Sequence, residues 1–161
     1  SVLAVNQSND SFSKGKAFKG RLCTQKLNKE YRYMQADMFN LYPAIGAVNA
    51  LRKNYSFTML PGEESDFGSC EMKISKKKAE PPVLARGRVA RTCIYMDETY
   101  SQYNMSRQQK QLMNAWDKMY PVAWDKMYPV DKWECERAER IAKLQRNTNE
   151  VLNDRCMNAG M

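Results

Sequence analysis

Apolar residues recur along this chain with two different periods. In residues 28–40, NKEYRYMQADMFN, Tyr31, Met34 and Met38 lie three and four residues apart, on one face of a helix. Pro43 ends that helix or marks a turn. Ile45, Val48, Leu51 and Arg52 resume helical spacing, so a second helix is expected around 44–53. The period then shortens to two. Tyr55, Phe57 and Met59 alternate, PGEES supplies a turn, and Cys70, Met72 and Ile74 alternate again, which predicts a small strand pair or an extended segment. Lys76–Pro82 reads as a basic connector. Val89, Cys93, Met96 and Tyr100 return to helical spacing and predict a helix over about 83–101. Ser106 with Gln109, and Asp131 with Glu134, have capping-box spacing. The first box opens a helix carrying Leu112, Trp116 and Met119. The second opens a helix to about Gln145 with Cys135, Ala138, Ile141 and Leu144 on its apolar side. Residues 1–20 show little periodicity; 1–15 is expected as loop, with one short strand at Val2–Val5. The expected class is mainly α with a minor β part (α+β), folded as a single domain over 1–161.

One phrase interrupts the pattern. AWDKMYPV at 115–122 returns unchanged at 123–130. Solenoid repeats have periods of about 20–50 residues and need about three copies to bury a core, so this is a local duplication. Pro121 and Pro129 each block continuation of a helix. One copy is therefore expected to lie outside the native helix end. The first copy, with Trp116, is expected to take that end.

Composition adds partners to the picture. The chain has 161 residues and a net charge of +8. Between 73 and 91, Lys73, Lys76, Lys77, Lys78, Arg86, Arg88 and Arg91 face only Glu80. Between 14 and 32, Lys14, Lys16, Lys19, Arg21, Lys26, Lys29 and Arg32 face only Glu30. Two such stretches suggest a polyanion, most often nucleic acid, or else a solvated basic surface. No stretch approaches the roughly 18 apolar residues of a membrane span, so no membrane partner is expected. The chain shows no signal peptide and starts at Ser1, as a mature or trimmed product would.

The absence of histidine excludes whole classes of chemistry. Ser-His-Asp and Cys-His catalysis are impossible within these residues, as is a histidine general base. Hydrolysis would need a carboxylate, a lysine or a metal-bound water. The five cysteines, Cys23, Cys70, Cys93, Cys135 and Cys156, include no C-x-x-C, and without histidine they make no Cys/His zinc site. They suit two disulfides and a spare thiol in an exported protein, or five reduced thiols in a cytosolic one.

Four stretches occur together in one order: MQADMFNLYPAIGAVNALRKNY, EPPVLARGRVARTCIYM, SRQQKQLMNAWDKMYPV and WECERAERIAKLQ. Over roughly residues 16–157 the chain resembles the endonuclease I family of periplasmic and secreted bacterial nucleases. These are ββα-metal enzymes that cut DNA, and often RNA, without sequence preference. The resemblance implies phosphodiester hydrolysis with one divalent metal, usually Mg²⁺, a histidine base, and an acid and an asparagine on the metal. It makes Asn49, in Gly46-Ala47-Val48-Asn49, the metal-ligand candidate. It makes Arg21, in Gly20-Arg21-Leu22-Cys23, a candidate phosphate contact. Lys19, Lys76, Lys77, Lys78, Arg86, Arg88 and Arg91 become candidate nucleic-acid contacts.

The family motifs match only in part. The W-E-H segment, which carries base and acid, would lie upstream of Ser1. D-x-H-N appears as Asp37-Met38-Phe39-Asn40, and Q-G-N as Gln145-Arg146-Asn147. The expectation is a catalytically impaired nuclease portion; the alternatives are a non-catalytic nucleic-acid-binding module or a basic interaction protein. The family carries one AWDKMYPV, so the second copy is read as an insertion. The resemblance implies a periplasmic or secreted location, and with it disulfides Cys23–Cys70 and Cys135–Cys156 with Cys93 unpaired; a monomer is expected.

Overall fold

A central helix buried on both sides organises the chain. The computed structural model describes residues 11–13, 16–18, 21–118 and 129–161. Helix α4 (Arg86–Thr99) follows a 3₁₀ turn at Val83–Ala85. One side of α4 buries Ala90 and Cys93 among Phe57, Met72, Ala79, Met105, Met113 and Trp116. The other buries Tyr95 and Met96 among Met34, Phe39, Ala138, Ile141 and Leu152. The mainly helical α+β class expected from sequence is what the described residues form.

The chain before α4 begins with a hairpin, β1 (Ser11–Ser13) paired antiparallel with β2 (Lys16–Phe18). That corrects the loop expected over 1–15; the strand expected at Val2–Val5 lies outside the described residues. Helix α1 (Arg21–Leu27) leads to α2 (Lys29–Ala36), whose N-cap Asn28 accepts from the Tyr31 amide at 2.9 Å. Tyr31 and Met34 are buried as expected, but Met38 is not. The helix stops at Asp37, and a 3₁₀ turn at Met38–Asn40 turns Phe39 inward in its place. Helix α3 (Gly46–Arg52) forms where helical spacing predicted it. Its expected face is split: Arg52 is buried and Val48 packs on the core, but Ile45 and Leu51 are 66% and 54% exposed.

The β region pairs differently from the sequence expectation. Strand β3 (Ser56–Phe57) does not meet the 70–74 stretch. Strand β5 (Lys78–Glu80) lies between β3 and β4 (Lys73–Ser75), parallel to the first and antiparallel to the second. The supposed connector at 76–82 therefore supplies the central strand. Its sequence carries no apolar alternation to read, since Lys78 is exposed while Ala79 and Glu80 are both buried.

After α4, helix α5 (Arg107–Lys118) starts at Ser106, which accepts from the Gln109 amide at 3.2 Å. Gln109 does not close the box. Its side chain donates to the Phe57 carbonyl at 3.1 Å and ties α5 to the sheet. Trp116 is buried, as expected of the first copy of the repeat. Met119 and the comparison with Trp124 lie outside the described residues. Helix α6 (Lys132–Gln145) is capped by Asp131, which accepts from the Glu134 amide at 2.8 Å. Leu144 is 71% exposed rather than inward. A helix the sequence reading missed, α7 (Glu150–Asn158), packs Leu152 and Cys156 against α6. Its N-cap Asn149 accepts from the Leu152 amide at 3.0 Å, a cap signal that was available.

The Cys135–Cys156 disulfide joins α6 to α7 across 21 residues. The other expected bridge does not form: Cys70 is a free thiol after the turn that its amide closes onto the Phe67 carbonyl. The Cys23 side chain lies outside the described residues. Cys93 is free and buried, as expected. Closing a loop of this size stabilises by about 3 kcal/mol. Urea denaturation of Cys135→Ala/Cys156→Ala should show a loss of about that size; an unchanged midpoint would contradict it.

Burial also sets an alkaline limit. Desolvation pushes the Cys93 thiol up from 9.0 to about 12, against a smaller lowering by its hydrogen bond with Tyr103. Desolvation likewise raises the phenols of Tyr95, Tyr100 and Tyr103, with Asp37 adding to the first two and Cys93 to the third. The unfolded chain thus releases these protons at lower pH than the folded one. Their stabilisation is complete below about pH 9 and drains as pH rises from there. The Tm should fall steadily between about pH 9 and 11, and Cys93→Ala should remove the earliest part of the fall.

Candidate nucleic-acid interface

The described residues place a cleft of about 560 Å³ between the 40–52 segment and α4. Asn49 on α3, Arg52, Tyr42, and Arg88 and Thr92 on α4 line it, with Phe57, Met72 and Pro81 from the sheet region. Much of the remaining lining is apolar: Leu41, Pro43, Ala44, Val48, Ala85 and Val89. Asn49 is exposed on the cleft wall. Arg52 sits 5.3 Å over the Phe57 ring, and burial lowers its pKa below the ordinary arginine value. Burial, and next the Glu134 carboxylate, raise the Tyr42 phenol, which stays neutral.

The arginines of α4 have three different fates. Arg91, expected as a nucleic-acid contact, is a core residue: its side chain is 3% exposed. It donates to both Glu134 oxygens at 2.9 and 2.7 Å and lies 3.7 Å from Asp117, which also accepts from Arg155 at 2.6 Å. The reason is position on a helix with two buried sides. Arg86 is mostly buried, donating to Glu80 at 2.5 Å and sitting 5.8 Å over the Trp116 ring. It too is better placed to brace the fold than to meet solvent. Arg88 alone reaches the cleft. It donates to Asp131 and lies 5.0 Å over Trp133, yet its side chain remains 39% exposed. Lys76, Lys77 and Lys78 are exposed at the β4–β5 turn. Lys19 and the Arg21 side chain lie outside the described residues, though Arg21 opens α1.

The sequence pattern of the Endonuclease I family matches residues 5–155. The chain belongs to the Endonuclease I family. A periplasmic deoxyribonuclease of Aeromonas hydrophila is 42% identical over 130 residues, 79% of this chain and 51% of that protein. An extracellular deoxyribonuclease of the same organism is 41% identical over 130 residues, covering 79% and 53%. Endonuclease-1 of Buchnera aphidicola subsp. Acyrthosiphon pisum is 39% identical over 131 residues, covering 80% and 49%. The chain spans about half the length of these curated relatives.

Membership in the Endonuclease I family gives two of its motif positions a structural meaning here. Asp37, Gln145 and Asn147, distant in sequence, meet in one partly buried network. Asp37 accepts from the Phe39 amide at 2.9 Å, from Tyr95 at 2.8 Å, from Tyr100 at 2.7 Å and from Gln145 at 3.2 Å. Asn147 donates to the Tyr95 hydroxyl at 3.1 Å. Phe39, where the family motif has histidine, is core and packs edge-on against Tyr95 at 5.1 Å. Arg146, where the motif has glycine, takes φ 59 as the left-handed C-cap of α6, the conformation glycine tolerates best. These residues fasten α2, α4 and α6; they do not face the cleft.

The described residues do not fit a magnesium site at Asn49. Magnesium prefers carboxylate and phosphate oxygens. Asn49 offers one neutral carbonyl, the cleft lining includes no Asp or Glu, and its charged members are Arg52 and Arg88. No group of three or more Cys, Asp or Glu side chains able to hold a metal occurs among the described residues.

Proposed function

We propose that this chain engages DNA without sequence preference, as a portion of an endonuclease I-type nuclease, and that these residues alone hydrolyse it weakly or not at all. RNA shares the phosphate chemistry and would be held in the same way. The observation that carries the reading is Arg88, half-exposed on the wall of the cleft that also holds Asn49. A guanidinium there can donate two parallel hydrogen bonds to a phosphate. The lysines at the β4–β5 turn extend the basic surface. Support for the partner comes from the relatives, which are named deoxyribonucleases. Support for a periplasmic or secreted location comes from the words periplasmic and extracellular in those names, and from the Cys135–Cys156 bridge.

There is no histidine, and the metal position implied by the resemblance has no acidic neighbour in its cleft. The competing reading is a basic protein that meets acidic proteins. Salt dependence separates them. Contacts from Arg88, Lys76, Lys77 and Lys78 would release about four counterions, giving a slope of log K against log salt near −3.6. Fluorescence anisotropy on two duplexes of unrelated sequence should show that slope with equal affinity. Arg88→Gln should weaken both alike. A flat slope, or a strong preference for one duplex, would overturn the reading.

A further inference from the structure

The β4–β5 turn has a feature that its charge does not explain. Ser75 pairs with Lys78, so the connection is two residues, Lys76 and Lys77. Both have positive φ, 47° and 60°. That is the pattern of a type I′ turn, which strongly favours Asn-Gly, Asp-Gly or Gly-Gly. A side chain with a Cβ is strained there, and two adjacent ammonium groups repel each other. Both lysines are exposed, and neither forms an ion pair among the described residues, whereas Lys73 lies 3.7 Å from Glu80. Strain held at an exposed position points to a role outside the fold.

The turn also has a fixed relation to the cleft. From Lys77 the chain runs along β5, Lys78–Glu80, straight to Pro81 on the cleft wall. Four residues of extended chain span about 13 Å at about 3.3 Å each. Phosphates on one strand of a duplex advance about 3.4 Å per nucleotide, so 13 Å is about four nucleotides. We infer that the Lys76–Lys77 turn is a second phosphate anchor, held by β5 about four nucleotides from the cleft. It rests on the DNA-binding reading above and adds to it a separate contact and a minimum length of nucleic acid. The turn gives up the residues that would fold it best and keeps two charges at its tip.

This makes stability and binding move in opposite directions. Lys76→Asn/Lys77→Gly should raise the Tm by roughly 3 °C or more, since the new pair suits the turn. The same variant should bind duplex DNA about tenfold more weakly at low salt, with a slope shallower by about 1.8. Lys76→Gln/Lys77→Gln keeps the strain and should lose the same slope, while Lys76→Arg/Lys77→Arg should keep it. The wild-type gain in affinity between hairpin duplexes of about 3 and about 12 base pairs should shrink in the Asn-Gly variant. An Asn-Gly or Gln-Gln variant that folds and keeps the wild-type slope would overturn the anchor while leaving DNA binding through the cleft intact. An undiminished length gain would do the same. If the wild-type chain itself shows no salt-dependent DNA binding, the functional reading falls and the anchor with it.

Discussion

Supercoiled plasmid incubated with this chain and Mg²⁺ is expected to be nicked at least about 100-fold more slowly than by an Endonuclease I relative under the same conditions. Loss of a positioned general base alone costs about 10²–10⁴ in rate. This chain has no histidine to serve, and the nearest charged groups to Asn49 in its cleft are arginines. A guanidinium stays protonated and cannot abstract a proton from water. Arg88 can still hold a phosphate, so binding should survive where turnover does not. The measurement is a time course of plasmid relaxation, with EDTA and Asn49→Ala as controls. Turnover at the relative's rate, abolished by both controls, would show that the cleft assembles a working metal site and would sink the impaired-nuclease reading.

Glu134→Ala should be the most damaging single substitution in the core. It removes the carboxylate that the Arg91 side chain, 3% exposed, holds with two hydrogen bonds of 2.9 and 2.7 Å. Asp117 gives one oxygen to Arg155 at 2.6 Å and keeps the other 3.7 Å from Arg91, too far for a hydrogen bond. Removing one partner of a buried ion pair costs about 3–5 kcal/mol. Domains of ordinary stability hold only about 5–15 kcal/mol in total, so the variant should be largely unfolded near 37 °C. Replacing both partners, as in Arg91→Met/Glu134→Leu, leaves no stranded charge and should cost far less than the single change. Urea denaturation of the three proteins decides it. A loss below about 1 kcal/mol for Glu134→Ala would mean that Arg91 finds water or another acceptor.

The contrast between Arg91 and Lys76 shows where reading a chain by its charge succeeds and fails. Both belong to one basic run. Counting along the chain cannot tell a helix position surrounded by other helices from a turn tip in solvent. Burial is a property of what packs around a residue, and for Arg91 those neighbours, Glu134 and Asp117, are 43 and 26 positions away. The same holds for Asp37, whose partners arrive from Tyr95, Tyr100 and Gln145.

Local interactions alone determined a good deal. Periods of three to four residues located α2 to α6, because an amphipathic stripe must face a core whatever that core is. Ser106 and Asp131 marked helix starts, because an unpaired amide at a helix end needs a nearby oxygen. The absence of histidine excluded base catalysis of the usual kind with no structure at all. Ordered motif segments carried the family. Tertiary structure decided the rest. It set β5 between β3 and β4, because strand order depends on partners distant in sequence. It left Ile45 and Leu51 in water and turned Phe39 inward in place of Met38. It spent Arg91 on the core, kept Arg88 at the cleft, and put Lys76 and Lys77 at the strained tip of a hairpin. In each case the deciding neighbour is brought close by the fold rather than by the chain.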